Sequence, residues 1–103
     1  MDPFFNHERL DCYTLAVAIS RWIRGTPIPE TDLRNQALRA SSSIVLNIAE
    51  GSTSQGRNRK KHFTYAAASA AEVSSILDIL DLPSGPEKQI ELRRISQMLH
   101  RMH

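Results

Sequence analysis

Five polar residues recur at helical spacing between positions 36 and 50: Gln36, Arg39, Ser43, Asn47 and Glu50. Steps of three and four place them on one stripe of a helix. A solvent-facing stripe is usually richer in Lys and Glu. This one offers amide, guanidinium, hydroxyl and carboxylate, the inventory of a hydrogen-bonded seam. Ser69 and Glu72, further along, carry the same chemistry. Arg39 and Glu50 stand three turns apart, so Arg39 must reach an acid on another helix or another subunit. Two readings compete: a polar network that fixes helix register, and a carboxylate pair, Glu50 with Glu72, for catalysis or a di-metal centre. A di-iron bundle needs Glu-x-x-His motifs, and neither acid is followed by one. The spacing favours the structural network.

Residues 57–62 read Arg-Asn-Arg-Lys-Lys-His. Helix starts favour acids, yet here a helix is expected to open with Arg57, Arg59, Lys60 and Lys61 and no acid. Free N–H groups at a helix start, together with Arg and Lys, suit a phosphate. A solvated loop that keeps the protein soluble is the alternative. The run has no interleaved aromatics and no base-reading motif accompanies it, so phosphate contact without sequence readout is expected. Arg9 and Arg101 should lie at the same end.

His7, His62, His100 and His103 also fall there. A zinc site is conceivable, but the surrounding Lys and Arg oppose a cation, and no metal or cofactor is expected. There is no P-loop, no Cys-x-x-Cys and no Ser/His/Asp ordering, so no enzyme is expected.

The elements that position these residues are helical. Leu33, Ala37, Ala40, Ile44 and Ile48 form an apolar stripe beside the polar one. Phe63, Ala66, Ala70, Val73, Leu77 and Leu80 repeat by threes and fours, with Tyr65, Ser69, Glu72, Ile76 and Ile79 alongside. Helices are expected over about 7–24, 30–51, 58–81 and 85–102. Asn6 would cap the first, with Phe5 and Leu10 as a hydrophobic staple. Gly25 and Gly51 would end the first two, residues 52–58 would form a loop, and Ser84 to Glu87 would make a capping box. The first helix is apolar over more than one face, through either a wide core stripe or a subunit contact. No strand alternation appears. Short connections imply one all-α domain over 1–103, an antiparallel up-down-up-down four-helix bundle. That topology gathers the bases at one end and Glu30, Asp32, Asp78, Asp81, Glu87 and Glu91 at the other.

Positions 36–51 fit Q-x-x-R-A-(A/S)-x-S-I-x-x-N-I-A-E-G. This resembles the four-helix-bundle family named for proteins encoded in intervening sequences of bacterial 23S ribosomal RNA genes. Leu10 through Ala16 is similar to its opening L-x-V-Y-x-x-A, with Cys12 where Val is usual. Ala66 through Glu72 resembles its A-x-x-S-x-x-E. The resemblance covers most of residues 7–81, and the last quarter matches only in helical pattern. It implies a non-enzymatic homo-oligomer, a pentamer. One branch looks like the accessory protein of diversity-generating retroelements, which implies reverse transcriptase and nucleic acid as partners.

With 103 residues, 41% hydrophobic and only 6% aromatic, the chain suits one core of Ala, Ile and Leu. The lone Cys12 cannot form an internal disulfide, and no stretch is apolar enough for a membrane, so a cytoplasmic location is expected. Net charge is only +2, so any affinity for RNA or DNA must come from where the charges sit. A purely protein-binding scaffold is the competing expectation.

Overall fold

The computed structural model describes residues 10–102: α1 (Asp11–Gly25), α2 (Thr31–Thr53), α3 (Gly56–Ile79) and α4 (Gly85–Arg101), with no strand among the described residues. Asn6, Phe5, His7, Arg9 and His103 lie outside that range. Contacts run α1–α2, α2–α3, α3–α4 and α1–α4, while the diagonal pairs stay apart.

The core is built from the expected stripes. Ala37, Ala40, Ile44 and Ile48 of α2 are buried, as are Phe63, Ala66, Ala70, Val73 and Leu77 of α3. Leu92, Ile95 and Leu99 of α4 and Cys12, Ala16, Ile19 and Ile23 of α1 complete it. Burial pushes the Cys12 thiol above its ordinary range, Asp11 adding to the effect and backbone hydrogen bonds opposing it. Tyr13, Leu15 and Trp22 are half-buried against this core, so much of the apolar breadth of α1 lies inside the molecule. Lys88 sits over the Trp22 ring at 5.7 Å and shields it further.

The helix ends differ from expectation in four places. Leu10 is extended and precedes α1, which begins at Asp11, so the expected helix over about 7–24 does not include residue 10. Gly25 closes α1 without a left-handed backbone; the stop is Pro27, which holds Thr26 extended. Thr26 Oγ1 then donates to Trp22 O at 2.6 Å. Ile28, between the two prolines, is buried and pins the connection to the core.

Gly51 lies inside α2, not beyond it, and the expected loop shrinks to Ser54 and Gln55. The hydroxyls of Ser52, Thr53 and Ser54 donate to the carbonyls of Ala49 and Glu50 at 2.8–3.0 Å, satisfying acceptors that a helix end leaves open. The chain then reverses through Gly56, whose φ of +58° is open to glycine at little cost.

The expected capping box before α4 does not form. Ser84 is left-handed (φ 67°) and its side chain makes no cap bond, because an N-cap reaches the first N–H groups from an extended backbone. Pro86 does occupy the first turn.

Candidate nucleic-acid interface

The seam joins α2 to α3 over fewer residues than its spacing implied. Ser69 Oγ donates to Ser43 Oγ at 2.9 Å. Asn47 Nδ2 donates to Ser43 O at 2.9 Å and lies 3.0 Å from Ser43 Oγ. That orientation turns Asn47 Oδ1 toward His62 Nδ1, 3.0 Å away, and His62 Nε2 lies 3.1 Å from Glu50 Oε2. Ser43, Asn47, Glu50 and Ser69 are therefore in the network. Gln36, Arg39 and Glu72 are exposed, and none has a side-chain hydrogen bond or ion pair among the described residues.

His62 is the member the sequence placed elsewhere. Its side chain is only 18% exposed and faces α2, not solvent. A His one residue before the core position Phe63 should lie at a helix-helix boundary, and that was the available signal.

Arg59 also leaves the basic cluster. Its guanidinium reaches toward Gly51 O (3.5 Å) and Met102 O (3.4 Å), and its centre stands 4.8 Å from the Phe63 ring. One cation thus meets the last carbonyls of two helices, where the helix dipole favours it. The contact shows that the end of α2, the start of α3 and the end of α4 converge. Leu10, Asp11, Cys12, Met98, Arg101 and Met102 line one shallow depression, bringing the start of α1 to the same place.

What remains free is a smaller basic surface. Arg57, Lys60, Lys61 and Arg101 are exposed, and none of their side chains makes an ion pair or hydrogen bond among the described residues. Gln55 provides no side-chain cap and the first turn of α3 has no acid, so its N–H groups compound the positive potential. Acids stand at the starts of α2 (Glu30 and Asp32) and α4 (Glu87), and Asp78 near the end of α3 accepts from Gln89 Nε2 at 2.7 Å. No three His, Cys, Asp or Glu side chains cluster as a metal would require, among the described residues. No described helix is long and apolar enough to cross a membrane.

Four packed helices, a hydrogen-bonded seam and a cationic end define a small all-α protein. The chain belongs to the 23S rRNA-intervening sequence protein family, whose sequence profile matches residues 10–101. That match includes α4, which by motif resembles the family only in pattern. No curated protein and no solved structure matches the chain.

Proposed function

We propose that this chain is a non-enzymatic, self-associating module that binds the phosphate backbone of RNA or DNA with little sequence specificity. The observation that carries this reading is the unpaired state of Arg57, Lys60, Lys61 and Arg101 around an uncapped helix start. The family's name, with its link to ribosomal RNA, agrees with it.

An up-down-up-down arrangement would hold these groups at one end. Pairs that step in opposite directions along neighbouring helices support it: 47 with 62 and 43 with 69, then 74 with 89 and 59 with 102. A binding role also fits the seam. Both ring nitrogens of His62 lie against protein oxygens, Asn47 Oδ1 and Glu50 Oε2, so the side chain serves the contact between α2 and α3. The family resemblance adds a pentamer and service as scaffold to a reverse transcriptase complex, and the lone Cys12 with no membrane-crossing helix among the described residues fits a cytoplasmic setting.

Exposed Leu46, Ile79 and Ile90 support self-association. Leu46, 64% exposed beside Val17 and Val45, also favours the second reading, a purely protein-binding scaffold. Binding of labelled RNA and DNA oligonucleotides at two salt concentrations separates the two. Replacing Arg57, Lys60 and Lys61 together by Ala should abolish most binding and leave the helical signal intact. Arg59 is left in place because it holds helix ends together. Binding absent in the parent chain, or insensitive to salt, would refute the nucleic-acid reading.

A further inference from the structure

The outward stripe of α3 carries more than charge. Arg57, Lys61, Tyr65, Ala68 and Glu72 follow one another by steps of three and four, and all five are exposed. Tyr65 is 52% exposed, and its ring meets that of His62 at 88° with centroids 6.4 Å apart. His62 is itself held by Asn47 and Glu50. The tyrosine is thus steadied by His62 while about half of its surface stays open to solvent.

We infer that this stripe is a short track for single-stranded nucleic acid, with Arg57 and Lys61 on successive phosphates and Tyr65 stacking on a base. Arg57, Lys61 and Tyr65 follow one another at a rise of about 6 Å along the helix, the scale of one extended nucleotide step. Cations beside an exposed aromatic are the elements by which proteins hold single strands without reading sequence, since every base has a face to stack. A duplex keeps its bases stacked on one another and offers Tyr65 none. Glu72 ends the track, because an acid two turns past Tyr65 repels the next phosphate. An acidic peptide would satisfy Arg57 and Lys61 but gives Tyr65 no planar partner.

The inference rests on the proposed nucleic-acid binding and deepens it by naming the strand state. Its test titrates a labelled single-stranded oligonucleotide, the same strand with abasic sites, and the corresponding duplex. Tyr65→Ala should weaken binding of the intact strand by about tenfold or more. It should leave duplex binding unchanged and abolish the preference for the intact over the abasic strand. Tyr65→Phe should bind as the parent does. Arg57→Ala with Lys61→Ala should weaken all three ligands. Equal binding of the intact strand by the parent and Tyr65→Ala overturns the track and leaves the phosphate reading standing. No binding of any ligand by the parent overturns both. Because Tyr65 is half exposed and not part of the core, thermal melts of Tyr65→Ala should match the parent and exclude misfolding as the cause.

Discussion

Gly51 has no side chain because the Phe63 ring occupies the space one would need. An added Cβ would lie 2.5 Å from Phe63 Cε1, 2.6 Å from Cδ1 and 3.3 Å from His62 Cβ. The ring is fully buried and flanked by Arg59, so it cannot swing aside. Overpacking of this kind costs about 1–3 kcal/mol, against about 1 kcal/mol gained when Ala replaces Gly inside a helix. The clash wins. Gly51→Ala should lower stability by about 1 kcal/mol and the melting temperature by about 4–8 °C. Gly25 is the control: nothing lies within 4 Å of its added Cβ and its backbone is not left-handed, so Gly25→Ala should hold or raise the melting temperature. Equal losses at the two sites would refute the packing account.

At the scale of the helices, the seam separates its members by what they touch. Asn47 bridges Ser43 and His62, so Asn47→Ala strands partners on both helices and should cost about 1–2 kcal/mol in denaturant unfolding. Gln36→Ala and Glu72→Ala remove exposed side chains and should fall within about 0.5 kcal/mol of the parent. A loss as large at Gln36 as at Asn47 would mean that the seam is wider than the intramolecular bonds make it. The apolar stripes were legible because burial repeats with the helix period: Ala37, Ala40, Ile44 and Ile48 read directly from spacing. The polar stripe was legible only as a direction on a cylinder. Which members reach a partner depends on how closely α2 and α3 approach, and Gly51, whose lack of a side chain permits that approach, reads from sequence as a helix stop. His62 and Arg59 were grouped with Lys60 and Lys61 by charge alone. Sequence neighbours on a helix point about 100° apart, and only the tertiary packing decides which of them meets water.

The whole molecule is nearly neutral, so its affinity for a polyanion must rise from polarity and repetition, not from net charge. Its long dimension is 44 Å, so an up-down bundle would hold the bases away from Glu30, Asp32 and Glu87, well beyond the roughly 8 Å over which physiological salt screens charge. Among the described residues, this cluster of one copy offers Arg57, Lys60, Lys61 and Arg101 to phosphates. Single strands lose affinity with a log–log slope of about 0.7 per phosphate contacted, so four contacts give a slope near −3 and modest binding. Copies assembled with these ends on a common rim would turn a second contact into an intramolecular event, raising affinity by a hundredfold or more for strands long enough to span two sites. The expected outcome has two parts. Mass in solution should exceed the 11.6 kDa of one chain, and a long strand should bind far tighter, with a steeper salt slope, than one only a few nucleotides long. A monomer mass with length-independent affinity per site would remove assembly from the account and leave each chain a weak, single-site binder.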